Sequence, residues 1–271
     1  MVIDSASNKK IKLMESLRLR KHREREGLFR IEGVRLAEMA AESGWELRFG
    51  LYTAELLEKE RGRQLLAGLR ERCPLYEISA PLGKKVAATD TPQGIFLAAT
   101  QQKTDLSELA GGGQSGRKQD GAEQPLFVVL DGVQDPGNVG TILRTADAAG
   151  FDGALLSAQC ADLYGAKTLR ATMGSVFRVP VKRTEDLAVA LLSMRERGYA
   201  VVATELGGED FYAHCPHEKC VLVIGSEGHG VSEAVRSVAT HHLALPMRGG
   251  AESLNAAVAA GIMLYEMARE R

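Results

Sequence analysis

The chain has 271 residues, 45% of them hydrophobic, and carries 34 Lys and Arg against 35 Asp and Glu, a formal net charge of −1. Such a chain can bury a sizeable core and commonly divides into two domains, while near neutrality excludes a global electrostatic pull toward nucleic acid or a membrane. No apolar run is long enough to span a bilayer, and Cys73, Cys160, Cys215 and Cys220 are scattered without a secretory signal, which predicts reduced thiols in a cytoplasm.

The averaged charge hides a cluster. Residues 9–30 hold four Lys and five Arg against three Glu, a local excess of six positive charges. Such a stretch either lies along RNA phosphates, with Lys9, Lys10, Arg18 and Arg20 as candidate contacts, or is a solvated amphipathic helix. Helix-like segments at 33–43 and 54–70 then alternate with the apolar runs "LRFGLYT", "PLYEIS" and "GIFLAAT", which predicts a small α/β domain over residues 1–100. Residues 101–124, "QQKTDLSELAGGGQSGRKQDGAEQ", are rich in Gly and Gln and poor in large apolar side chains, as a flexible linker would be.

Over residues 125–271 the pattern strengthens. "LFVVL", "GALL", "AVVATEL", "CVLVIG" and "HLALP" are continuous apolar runs separated by helical stretches, which predicts a parallel sheet buried on both faces. Ligands of such sheets sit at the carboxyl ends of the strands, where three loops stand out: "DGVQDPGNVGTILRTADAAG", "GSEGHGVSE" and "RGGAESLN". In the first, Pro136 and Gly137 are expected to turn the chain, Asn138 to cap the following helix and Gly150 to end it. Arg144, on the second turn of that helix, is either a solvated or ion-paired residue or a fork for a phosphate. Glu227 lies between glycines in the second loop, and neither a G-x-G-x-x-G nor a phosphate-loop motif is present, which argues against a pyrophosphate-bearing cofactor. In the third, Ser253 suits an N-cap, while Asn255 inside a first helical turn is a poor stabilising choice and so suggests a ligand role. Gly261, deeper in that helix, predicts close packing by another helix or chain.

These residues fall in three ordered stretches, "NVGTILRTADAAG", "VLVIGSEGHGVSE" and "LPMRGGAESLNAAVAAGIMLYE", and together they resemble the SpoU (TrmH-like) class of the SPOUT superfamily of RNA ribose methyltransferases. "KLMESLRLRKHREREGLFRIEGVRLAEMA" is similar to the L30e-like substrate-binding domain that precedes the catalytic domain in many members. The resemblance implies methyl transfer from S-adenosylmethionine to an RNA ribose 2′-hydroxyl, a deep trefoil knot in the C-terminal domain, a homodimer through that domain, and structured, large-subunit ribosomal RNA as the favoured substrate. It also implies that Asn138, Arg144, Glu227, Ser253 and Asn255 are the catalytic polar set, and that Thr204, Gly207, Gly225, Leu245, Met247 and Leu254 contact the cofactor. Transfer RNA as substrate, or a non-catalytic RNA-binding or assembly role, are the alternatives. "HCPHEKC" brings His214, Cys215, His217 and Cys220 together, but ligands packed this densely differ from the paired spacing of zinc sites, and no metal is expected.

Overall fold

The computed structural model describes residues 2–105, 125–216 and 218–269, so most of the stretch read as a linker and His217 of the Cys/His cluster lie outside the described residues. The chain forms two compact units: Met1–Gln102 with Tyr164–Arg170, and Lys103–Leu163 with Ala171–Arg271. A split at the low-complexity stretch alone would miss Tyr164–Arg170. Within the first unit the Tyr164 ring lies 4.5 Å from that of Phe29, and its hydroxyl accepts the Gln102 N–H at 3.1 Å.

The first unit runs α1 (Lys9–Ser16), α2 (Arg20–Glu26), β1 (Leu28–Glu32), α3 (Val34–Glu42), β2 (Leu47–Tyr52), α4 (Glu60–Arg70), β3 (Leu75–Glu77), α5 (Ala80–Val86) and β4 (Ile95–Thr100). Its sheet has the order β1-β4-β2-β3, with β4 antiparallel to both neighbours and β2 parallel to β3. Ile11 and Met14 of α1 pack with Leu51, Ile78, Val86 and Phe96, all buried. Much of the basic stretch turns out to be structural. Arg18 donates to the carbonyls of Lys85 and Ala87 at 2.5 Å each, and Arg30 donates to that of Val86, so two guanidiniums cap the open carbonyls at the end of α5. Arg23 is buried and donates to the Leu17 and Arg18 carbonyls at 2.7 Å. Burial is the main cause holding the Arg30 guanidinium below its ordinary value, partly offset by Glu32.

The second unit runs β5 (Leu126–Asp131), α6 (Pro136–Ala148), β6 (Gly153–Ser157), α7 (Ala166–Thr172), β7 (Val181–Thr184), α8 (Leu187–Glu196), β8 (Ala200–Asp210), α9 (Phe211–His214), β9 (Cys220–Gly225), α10 (Glu233–Arg236), β10 (His241–Ala244) and α11 (Ala256–Ala268). Only the first part of α7 belongs to the first unit. All six strands are parallel, in the order β10-β8-β9-β5-β6-β7, and every residue of β5 and β9 is buried, as the continuous apolar runs predict.

Register places the loops. Asp131 pairs with Gly225, so the loops after β5 and β9 leave the sheet side by side. On β8 the register jumps: His242 pairs with Ala203 but Leu243 with Glu209, which pushes Thr204–Gly208 out as a bulge beside β9. At Gly208 a Cβ would come within 2.6 Å of the His242 carbonyl oxygen, an approach that only glycine allows. Among the described residues no disulfide joins Cys73, Cys160, Cys215 or Cys220. Among the described residues no helix is long and apolar enough to cross a membrane.

Candidate functional site

The first loop enters α6 differently from the sequence expectation. Asp135, not Asn138, is the N-cap: its Oδ1 accepts the Asn138 N–H at 2.9 Å, and Pro136 and Gly137 are the first helical residues rather than a separate turn. The expectation fails because several polar residues compete for one cap, and the proline's fixed φ places the cap directly before it. The Asn138 side chain is thereby left free to face the other loops, while Gly150 (φ +82°) follows the end of the helix as expected.

The third loop carries the matching correction. Asn255, not Ser253, caps α11, its Oδ1 accepting from Ala257 N at 2.9 Å and Val258 N at 3.3 Å. Ser253 lies two residues earlier, exposed. Asn255 also has a second role, because its Nδ2 donates to Asn138 Oδ1 at 3.1 Å, and Asn138 Nδ2 donates to Glu227 Oε1 at 2.7 Å. The amide accepts from the helix end through its oxygen and donates onward through its nitrogen, which an ionised carboxylate, an acceptor only, could not do. The chain Asn255–Asn138–Glu227 joins residues 117 and 89 positions apart and ties the three loops together.

Two expected outcomes separate these roles. Asn255→Ala costs about 1 kcal/mol of stability through the lost cap, whereas Ser253→Ala leaves the unfolding midpoint unchanged. Asn255→Asp keeps the cap but cannot donate to Asn138, so it retains stability and loses the coupling, as chemical denaturation beside the side-chain amide NMR signal of Asn138 would read.

Glu227 is held below the ordinary carboxylate range. Burial, the largest influence, pushes it up, but the Asn138 amide and the N–H groups of Glu227, Gln134 and Asp135 together outweigh it. With a depressed value in the folded state, its contribution to stability is present above the unfolded carboxylate range and is lost as pH falls through the folded value. Removing the first of the opposing bonds by Asn138→Ala shifts the Glu227 titration upward, a displacement that carboxyl-carbon NMR measures; an unmoved curve would show that this amide does not hold the charge.

A cavity of about 760 Å³ opens at the carboxyl ends of β8, β9 and β10. Its lining includes the expected Thr204, Gly225, Leu245, Met247 and Leu254, together with Glu227, Ser253 and Asn255 from the catalytic set. Gly207 is absent from the lining; it sits exposed in the β8 bulge with φ +82°. Arg144 is exposed on the third turn of α6, since the helix begins earlier than expected, and its side chain makes no ion pair or hydrogen bond among the described residues: Asp147 is taken by Ser175 and Arg178, and Asp131 accepts from Ser232. Sequence reasoning missed four polar residues of the cavity: Glu205 accepts from His242 Nδ1 at 2.9 Å and also binds Arg236, and Ser226 and His229 sit on the glycine loop. The only signal for Glu205 and Arg236 was a position near a strand end or in a short helix, which is too general to single them out.

Of the basic candidates, Lys9 is exposed, Lys10 holds its ammonium 4.4 Å from the Tyr76 ring centre, Arg18 is committed to carbonyls and Arg20 pairs with Glu24 at 2.7 Å. At Gly261 an added Cβ would meet only Thr145 Cγ2 at 3.8 Å, so α6 packs there without requiring glycine. Among the described residues no group of three or more His, Cys, Asp or Glu is arranged to hold a metal ion.

Residues 125–265 match the SpoU rRNA Methylase family, and residues 8–97 match the MRM3-like substrate binding domain. The chain is 35% identical over 266 residues to the 23S rRNA (guanosine(2553)-2′-O)-methyltransferase RlmP of Bacillus subtilis, covering 98% of each chain. It is 31% identical over 260 residues to the 23S rRNA (uridine(2479)-2′-O)-methyltransferase of Streptomyces viridochromogenes, covering 93% of this chain and 86% of the other. The crystal structure of an AdoMet-bound rRNA methyltransferase from Sinorhizobium meliloti superposes with a TM-score of 0.83 at 32% identity, over 100% of this chain and 98% of that one.

Proposed function

The chain belongs to the SpoU rRNA methylase family, and on that premise we propose that it methylates a ribose 2′-hydroxyl of large-subunit ribosomal RNA, with residues 125–271 as catalytic domain and residues 1–100 as substrate-binding domain. The observation that carries the reading is the Asn255–Asn138–Glu227 chain at a cavity of cofactor size, which joins three loops that are remote in sequence.

The cavity suits S-adenosylmethionine. Ile224, Leu243, Met247 and Met263 offer apolar surface for a flat adenine, and Thr204, Glu205 and Ser226 offer polar groups for its hydroxyls and amines. Gly225 lies so close to the backbone of Gly230 and Val231 that any side chain would fill the space. When bound, the cofactor supplies a methyl group already activated by its sulfonium. The protein's task is then alignment of the hydroxyl and relief of its proton. Arg144 stays charged and grips the phosphate beside the target ribose, stabilising the alkoxide that develops. Asn138, oriented from one side by Glu227 and from the other by Asn255, positions the ribose just outside the cavity, whose wall Glu227, Ser253 and Asn255 form. Lys9, Lys10 and Arg20, with Arg18 where its carbonyl bonds allow, are the RNA-facing cations of the first unit.

The knot, the cytoplasmic location and the homodimer belong to this proposal. Support for the homodimer comes from α11, where Val258, Ile262 and Tyr265, with Leu254 just before them, repeat at helical spacing and stand exposed. Val258→Asp combined with Tyr265→Asp is expected to convert a dimer to a monomer in sedimentation; a wild-type monomer would remove this part of the reading.

The function is tested by transfer of labelled methyl from S-adenosylmethionine to total RNA of a strain lacking this protein. Label at one ribosomal ribose, abolished in Arg144→Ala, is the expected result. Bound cofactor without label in any RNA would favour a non-catalytic RNA-binding role.

A further inference from the structure

A second cavity, of about 390 Å³, adjoins the first and shares Ser226, His229 and Gly230 with it. It lies where β5, β6 and β7 end, at Asp131, Ser157 and the residues after Thr184. We infer that this second cavity receives the nucleobase of the methylated nucleotide and selects a base that carries an amino group. The inference rests on the neighbouring cavity being the S-adenosylmethionine site.

The covalent geometry of a nucleotide requires such a place. The accepting 2′-oxygen and the base hang from adjacent ribose carbons, so a base presented with its hydroxyl at the methyl donor must lodge in space bordering the cofactor cavity. The common wall, Ser226 to Gly230, is a closed turn: Ser226 and Gly230 exchange both backbone hydrogen bonds at 2.9 Å, and the Ser226 hydroxyl accepts the His229 N–H at 3.2 Å. That turn is rigid enough to hold two ligand parts in fixed relation, and the exposed His229 ring offers a face on which an unstacked base can lie.

The lining decides what enters. It contains three carboxylates, Asp131, Glu185 and Asp186, and neither Lys nor Arg, so a phosphate is repelled and a neutral group bearing N–H donors is favoured. Two of these carboxylates are engaged: Asp131 accepts from Ser232 N at 2.7 Å, and Asp186 caps α8 by accepting from Val189 N at 3.0 Å. The carboxylate of Glu185 and the side-chain amides of Gln134 and Gln159 make no hydrogen bond among the described residues. Guanine, adenine and cytosine each present an amino group to such an acceptor, and guanine adds an adjacent N–H that engages the second carboxylate oxygen. Uracil has no amino group, and the carbonyls flanking its single N–H face the carboxylate with like charge.

The test uses an unmodified large-subunit ribosomal RNA transcript, in which the methylated nucleotide is mapped and then replaced by each other base. Wild type, Glu185→Gln and Gln159→Ala are compared for kcat/KM and for S-adenosylmethionine affinity. The expected result is an amino-bearing base at the mapped position, a fall on the order of tenfold when uracil replaces it, and loss of that preference in Glu185→Gln with cofactor affinity unchanged. A mapped uridine, or variants that keep both base preference and kcat/KM, would overturn the base pocket while leaving the function intact. Failure of the wild type to methylate any RNA would overturn the function, and the pocket with it.

Discussion

Arg144→Ala is expected to lower kcat by roughly 10²- to 10³-fold while leaving the S-adenosylmethionine dissociation constant and the unfolding midpoint where they were. The three parts of this result follow from separate observations. Stability is untouched because the side chain is exposed on α6 and has no ion pair or hydrogen bond among the described residues. Cofactor affinity is untouched because Arg144 does not line the 760 Å³ cavity. Turnover falls because a guanidinium facing a developing alkoxide and its neighbouring phosphate acts only when RNA is in place. Arg144→Lys retains the charge but loses the planar fork, and recovers only part of the rate. Single-turnover kinetics beside cofactor titration separate these effects; equal losses in turnover and cofactor binding would move Arg144 out of the chemistry and into the cofactor wall.

Gly225→Ala is expected to cost about 3 kcal/mol and to weaken S-adenosylmethionine binding on the order of 10²-fold. The residue is the last of β9, buried, with its Cα against the backbone of Gly230 and Val231. A methyl group there cannot be relieved by rotating a side chain, because its neighbours are main chain, so the Ser226–Gly230 turn must lift as a unit. Lifting it shifts Glu227 away from Asn138 and opens the cavity floor. Gly228→Ala serves as the stability control, since a Cβ at Gly228 meets nothing within 4 Å. Differential scanning calorimetry and cofactor titration of the two variants check the contrast. Comparable losses at both positions would show that any side chain in the turn is harmful, and close approach at Gly225 would not be the cause.

The strands of the second unit were legible because parallel strands buried on both faces leave unbroken apolar runs, and the position of the site followed from the rule that ligands gather at their carboxyl ends. The finer assignments were not. Which of several polar residues becomes an N-cap depends on the backbone angles that tertiary packing imposes, so Asp135 and Asn255 were passed over for Asn138 and Ser253. The bulge of Thr204–Gly208 was hidden because "AVVATEL" reads as one uninterrupted strand, and only the neighbouring β10 reveals the jump in register. Charge counting also cannot sort the basic stretch: it does not tell Lys9, exposed to solvent, from Arg23, which closes the joint between α1 and α2 by binding the Leu17 and Arg18 carbonyls. Tyr164–Arg170 joined the first unit without any local signal, since that grouping arises from contacts remote in sequence.

The bond from Asn255 to Asn138 also sets a schedule for synthesis. Asn138 leaves the ribosome long before Asn255 is translated, and α11, which Asn255 caps, ends at Ala268. Until Asn255 has been made, β5, β9 and the first two loops can assemble, but Asn138 lacks its partner from the third loop. Contacts across such long stretches of chain form late and slowly. The link between the first and third loops is therefore among the last parts of the second unit to form, and the site stays open on that side until it does.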